Sequence, residues 1–336
     1  MISLLLCPEG ILMYIPMNSF IKKVVLLSGF ILVALCCQAF ICSDTTLVSS
    51  PLALQTNTGT IAGTLLTPAQ FRKIPVVLII AGSGPTDRDG NNPMMKNNSL
   101  KMLAMELGRN GIATLRYDKR GIGESKAAAK SEADLRFNDY VNDAKDWIQL
   151  LKQDKRFSKV IVIGHSEGSL IGMIAAGNAD KFISIAGAGQ SADKILKEQL
   201  SAQPQGVQDI AFPILDSLAN GHLVNKVNPM LNSIFRPSVQ PYMISWFRYD
   251  PQVEIKKLSI PVLILQGTND IQVSTADAER LSAANPAAKL VLLEGMNHIL
   301  KNVPGDRQAN IATYGNPTLP LADILITITR DFILKK

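Results

Sequence analysis

Val160-Ile161-Val162-Ile163-Gly164-His165-Ser166-Glu167-Gly168 is the stretch on which the reading of this chain turns. Its first four residues are apolar and β-branched, the composition of a strand buried on both faces of a parallel sheet. The last five form a G-x-S-x-G pattern, and Gly168 to Asn178 continues with helical character. Composition alone produces such a pentapeptide in roughly one chain in ten of this length, so the flanks carry the argument. A strand that runs into a helix through a single residue forces that residue, Ser166, into a strained backbone conformation and lifts its hydroxyl above the sheet. Glycine is required on both sides because side chains there would collide with neighbouring backbone. The N-terminus of the helix that follows favours negative charge developing beside it.

Outward from this stretch the same alternation repeats. Leu47–Gln55 and Gly59–Leu66 read as two strands joined at Asn57-Thr58-Gly59. Ile74–Ala81 is a continuous apolar run ending in Gly82-Ser83-Gly84-Pro85, and Ile112–Tyr117, Phe182–Ala186, Pro261–Gln266 and Lys289–Leu293 repeat its pattern. Helical spacing appears at Ser99–Asn110, Asn138–Gln153, Glu167–Asn178 and Ser274–Ala284. Strand and helix in alternation predict an α/β fold with a doubly wound, mostly parallel sheet. The stretch from Gln190 to about Lys257 breaks the rhythm. It is too long for a bare loop, so the spacing predicts a helical cap inserted at about residues 190–257 of a domain covering 46–336. Its apolar cluster comprises Met230, Phe235, Met243, Trp246, Phe247 and Tyr249, expected to pack the cap and in part to line a pocket.

Length and composition exclude several classes. With 336 residues, 47% of them hydrophobic, the chain has ample material for a core. The net charge of +6 is dispersed rather than clustered with aromatics, which argues against nucleic-acid binding. All four cysteines, Cys7, Cys36, Cys37 and Cys42, precede the body, leaving it no disulfide and no thiolate metal site. Residues 1–45 read as a targeting segment, in which Lys22 and Lys23 precede the uncharged run Val24–Ser43 and Gln38-Ala39 offers a cleavage site. The expectation is an exported, periplasmic or secreted protein. Membrane contact arises only if this segment is retained as an anchor or carries a lipid on Cys36 or Cys37.

A serine hydroxyl needs a base to become a nucleophile, and the chain has three histidines. His165 adjoins Ser166 and points the other way by strand alternation; His222 falls in the cap. His298 follows the last strand, where a base would descend over the nucleophile. An imidazole base in turn needs a carboxylate, and Asp270 stands just after the strand Pro261–Gln266. The candidate triad is Ser166, Asp270 and His298, in the chain order serine, acid, histidine. The backbone N–H groups of Glu167 and Ser83 are the candidate oxyanion-hole donors. Gly82-Ser83-Gly84 lacks the Gly-Lys-Ser/Thr ending of a nucleotide loop. Asp87 and Asp89 evoke a calcium loop, but Gly90 is misplaced and Asn98 stands where a glutamate belongs. Neither metal nor cofactor is expected.

These features together resemble the α/β-hydrolase superfamily over roughly residues 50–335. More narrowly, Ala81-Gly82-Ser83-Gly84-Pro85-Thr86-Asp87-Arg88-Asp89-Gly90-Asn91-Asn92, Leu115-Arg116-Tyr117-Asp118-Lys119-Arg120-Gly121-Ile122-Gly123-Glu124-Ser125 and Gly164–Gly168 are similar to bacterial exported hydrolases of the serine-aminopeptidase-like and acyl-esterase-like group. In that group Asp118–Gly123 corresponds to a structural turn. Many relatives carry histidine where this chain has Ala81. The resemblance implies cofactor-free hydrolysis of a small-molecule acyl ester through Ser166, His298 and Asp270. The alternatives are a peptidase, amidase or thioesterase on the same triad, or a binding protein on a hydrolase fold.

Overall fold

The computed structural model describes residues 46–69, 73–303 and 306–335. Residues 1–45, expected to be a targeting segment, and with them all four cysteines, lie outside the described residues. The chain opens with the antiparallel pair β1 (Leu47–Thr56) and β2 (Gly59–Pro68), followed by β3 (Ile74–Ile80), α1 (Ser99–Arg109), β4 (Ala113–Tyr117) and α2 (Phe137–Gln153). β5 (Phe157–His165), α3 (Glu167–Ala175) and β6 (Lys181–Ile185) come next. Between β6 and β7 lie only helices: α4 (Ala192–Ser201), α5 (Gln205–Ala219), α6 (Asn232–Phe235), α7 (Gln240–Phe247) and α8 (Pro251–Lys256). β7 (Val262–Gly267), α9 (Thr275–Ala284), β8 (Lys289–Leu293), α10 (Arg307–Thr313) and α11 (Asp323–Leu334) complete the order.

The eight strands form one sheet in the order β1-β2-β4-β3-β5-β6-β7-β8. β2 pairs antiparallel with β1 and β4, and every pairing from β4 to β8 is parallel. The continuous apolar runs follow from this arrangement, because helices cover both faces. Along β3, Val76, Leu78 and Ile80 pack with Val141 and Trp147 of α2 and Leu170 and Ile171 of α3. Val77 and Ile79 face the other way, against Leu100, Leu103 and Leu107 of α1 and Leu325 and Ile333 of α11.

The helical insertion has its own core, in which Leu215, Leu218, Phe235, Met243 and Phe247 are buried. Met230, expected in that cluster, is 69% exposed, because it sits on a short 3-10 turn that presents it to solvent. Trp246 stacks on Phe137 at 6.2 Å between ring centroids, and Tyr249 lies 5.3 Å from the same ring. These rings fasten the insertion to the start of α2. The α-helix after Ser166 ends at Ala175 and tightens into a 3-10 turn over Ala176–Asn178, earlier than the spacing predicts. Among the described residues no helix is long and apolar enough to cross a membrane.

Candidate active site

Ser166 sits between β5 and α3 at φ 55°, ψ −123°, a conformation that non-glycine residues rarely adopt. The two motif glycines make it possible. A Cβ on Gly164 would lie 2.2 Å from the carbonyl oxygen of Gly168, and one on Gly168 would lie 2.3 Å from that of Ile80. The Ser166 N–H donates to the Ile185 carbonyl (3.0 Å), tying the turn to β6. Its Oγ has no hydrogen-bond partner among the described residues.

Asp270 and His298 come from the loops after β7 and β8. His298 Nδ1 lies 2.8 Å from Asp270 Oδ2, and both side chains are almost wholly buried. Because a carboxylate only accepts, Nδ1 carries the proton and Nε2 is left as the basic nitrogen. Asp270 Oδ2 also accepts from Gln266 Nε2 (3.1 Å), while Oδ1 accepts from the N–H groups of Gln272 (2.8 Å) and Val273 (3.0 Å). Burial alone would raise the Asp270 carboxyl, but the His298 ring and these backbone N–H groups outweigh it and hold the carboxyl below its usual range.

His165 is the scaffold for His298. Their ring centroids are 4.9 Å apart, and His165 Nε2 donates to the His298 carbonyl at 2.8 Å. Burial, helped by the neighbouring His298, lowers the His165 imidazole to about 4, so it is neutral at ordinary pH. Since His165 is bonded in sequence to Ser166, these contacts tie His298 to the turn that carries Ser166. His222 is exposed in the loop after α5 and takes no part.

Three asparagines steady the two loops, and sequence reasoning missed them. Asn310 on α10 donates to the Asn269 carbonyl (2.6 Å) and accepts from Asn297 Nδ2 (3.0 Å). One side chain thus holds the residue before Asp270 and the residue before His298. Their only sequence signal is adjacency to the candidate residues, and Asn310 lacks even that.

Ser83 and Glu167 line one small cavity together with Ser166, about 100 Å³ in volume and walled by Leu170, Ile195, Leu196, Trp246 and Val273. As first residue of α3, Glu167 has no intrahelical acceptor for its N–H. The Ser83 N–H likewise has no acceptor among the described residues. Gly82 runs so close to Ser166 that a Cβ there would lie 3.1 Å from Ser166 Cβ. Across Glu167 opens a second cavity of about 430 Å³, bordered by Pro85, Lys126, Lys130, Glu132, Arg236 and Tyr242.

The segment Asp118–Gly123, expected only to turn the chain, also reaches this site. Lys119, 1% exposed, donates to Glu167 Oε2 (2.7 Å) and to the Gly82 carbonyl (2.6 Å). Tyr242 of α7 donates its hydroxyl to Glu167 Oε1 at 2.6 Å. A lysine in a turn looks solvated in sequence; only the fold shows that it points inward. The Asp87–Asp89 loop is ordered by its own groups. Asp87 Oδ1 accepts from the N–H groups of Asp89 and Asn91, Asp89 pairs with Arg116, and Arg88 pairs with Asp118.

The model of the family described as "Hydrolase_4: Serine aminopeptidase, S33" matches residues 96–253. Esterase EstD of Thermotoga maritima is 26% identical over 253 residues, which cover 71% of this chain and 57% of that protein. The chain therefore spans little more than half the length of that relative. Among solved structures, Est1E from Butyrivibrio proteoclasticus superposes with a TM-score of 0.55 at 17% identity, over 84% of this chain and 97% of that one. A hypothetical protein from Pseudomonas aeruginosa gives 0.57 at 13% identity, over 85% and 93%. Sheet order, turn geometry and these likenesses agree: the chain has the α/β-hydrolase fold.

Proposed function

We propose that the protein hydrolyses carboxylic esters through an acyl-enzyme on Ser166. The observation that carries this reading is the buried His298–Asp270 pair, 2.8 Å apart, whose imidazole lies 4.9 Å from the ring of His165, the residue preceding Ser166. Ser166 Oγ attacks the acyl carbon and its proton passes to His298 Nε2. The carbonyl oxygen becomes an oxyanion facing the N–H groups of Ser83 and Glu167. Collapse expels the alcohol, which takes the proton back from the imidazolium that Asp270 stabilises. Water, deprotonated by the same nitrogen, then releases the acid. The small cavity at Ser166, partly walled by Leu170, Ile195, Leu196 and Trp246, suits a short acyl chain, and the larger cavity beyond Glu167 has room for the alcohol half. The name of the Thermotoga maritima relative supports an esterase reading.

The family description favours a second reading, an aminopeptidase, which must hold a free ammonium group. A carboxylate with spare acceptor capacity would serve, but the two glutamates bordering the cavities are engaged. Glu167 is held by Lys119 and Tyr242, and Glu132 by Arg236 and Ser238. Ester hydrolysis therefore fits better. The test sets a butyrate ester beside an aminoacyl ester and its matched aminoacyl anilide. Turnover of the butyrate ester with little of the anilide is expected; preference for the anilide would replace the esterase by the aminopeptidase.

A further inference from the structure

We propose that Lys119 is a positioning residue that aims both oxyanion-hole donors at once, with Tyr242 coupling the helical insertion to the same device; the role rests on the esterase reading above. The argument starts from the peptide bond. The Gly82 carbonyl and the Ser83 N–H belong to one planar trans unit, so anchoring the oxygen fixes the opposite direction in which the N–H points. Lys119 Nζ anchors that oxygen at 2.6 Å. The same ammonium lies 2.7 Å from Glu167 Oε2. Glu167 is itself the residue whose N–H is the second donor, so its side chain and backbone are held through one cation.

Charge strengthens the case. The Glu167 carboxylate stands beside the place where negative charge develops during attack, and an unopposed anion there would repel it. Lys119 neutralises that carboxylate and polarises the Gly82–Ser83 peptide in the direction that makes its N–H a better donor. Both carboxylate oxygens and the ammonium have partners. The third side of the ammonium faces the Tyr140 ring at 5.0 Å, and Glu167 Oε1 takes the Tyr242 hydroxyl at 2.6 Å. The side chains of Lys119 and Glu167 are 1% and 2% exposed. Buried ion pairs of this kind gain little stability over apolar replacements of similar size, so stability alone does not account for this one. Tyr242 belongs to α7, so the position of the insertion is felt at the donor that α3 presents.

The test is the rate at which a fluorophosphonate labels Ser166. Ser166 Oγ forms a bond to phosphorus, the P–F bond breaks, fluoride leaves and the hydroxyl proton passes to His298. The phosphoryl oxygen takes the oxyanion position, so the rate reports the donors without a known substrate. The full-length protein is compared with Lys119→Met/Glu167→Gln, which removes both charges together, and with Ser166→Ala. Removing an oxyanion donor outright costs about 10²–10³ in rate. Loosening both is expected to slow labelling about 10–100-fold in the double variant, with kcat on p-nitrophenyl butyrate falling in step and KM within about 3-fold. A folded double variant labelled at the parent rate, or one whose loss lies in KM alone, overturns the proposal. Tyr242→Phe removes one hydroxyl and keeps the ring packing, which covers the case in which the double variant does not fold. Labelling about 3–10-fold slower is expected there, in a protein that still folds, with a melting temperature lowered by only a few degrees. An unchanged labelling rate overturns the proposal. If the parent protein is not labelled at Ser166, the esterase reading itself fails, and the positioning role falls with it.

Discussion

Replacing His165 by glutamine should remove a large share of the protein's sensitivity to acid. A histidine in an unfolded chain titrates near 6.5, whereas burial lowers His165 to about 4 in the fold. Between these values the unfolded chain binds a proton that the folded protein does not, so stability falls as acid is added. His165 therefore contributes stability that is complete above about pH 6.5 and drains away as the pH falls through about 4. The full difference corresponds to roughly 3 kcal/mol, and about 2 kcal/mol of it is lost between about pH 7.5 and pH 5. The structure supplies the reason. Nε2–H is committed to the His298 carbonyl, and the other ring nitrogen lies against Gly82, where a new proton meets a buried, neutral surface beside the His298 ring. Glutamine retains an N–H donor but does not titrate. Urea unfolding followed by the fluorescence of Trp147 and Trp246, at both pH values, measures the effect in parent and variant. The parent should lose about 2 kcal/mol more than the variant, a factor of about 30 in the unfolding constant. Equal losses, within about 0.5 kcal/mol, would refute the assignment of His165 as a buried neutral group.

The other predictions concern the turn, the acid and the cavity. Gly168→Ala places a methyl group 2.3 Å from the Ile80 carbonyl oxygen. It should lower stability by about 3 kcal/mol or more, or prevent soluble expression, as read by thermal unfolding. Asp270→Asn should reduce kcat about 10³–10⁴-fold with little change in melting temperature, because the amide no longer fixes the His298 tautomer. Among p-nitrophenyl esters, kcat/KM should be highest for roughly two to four acyl carbons, since about 100 Å³ admits few heavy atoms. Trp246→Ala, which removes one wall of that cavity, should move the optimum to longer chains.

The central strands were readable because a sheet covered on both faces leaves unbroken apolar runs such as Ile74–Ile80, whereas β1 and β2 were readable from the turn at Asn57-Thr58-Gly59 that joins them. Ser166 was readable because strand, turn and helix occur in uninterrupted order, and Asp270 and His298 because each follows a strand. What escaped depends on tertiary context. α11 has the sequence Asp323-Ile324-Leu325-Ile326-Thr327-Ile328-Thr329-Arg330-Asp331-Phe332-Ile333-Leu334. Its isoleucines and threonines favour strand by propensity, yet Leu325 and Ile333 at helical spacing bury against the sheet. Lys119 and Glu167 are 48 residues apart, and nothing local marks either as the other's partner. Asn310 is similar: a polar residue on a short helix, whose importance comes from the two loops it happens to join.

The most direct test of the account is the identity of the residue that carries the acyl group. The full-length protein is mixed with p-nitrophenyl butyrate, quenched in acid within the first turnover, digested and analysed by mass spectrometry. The account predicts one butyryl group on the peptide containing Ser166, absent from Ser166→Ala and lost on longer incubation with release of butyrate. Ester hydrolysis that persists in Ser166→Ala, or a butyryl group on any other residue, would contradict it.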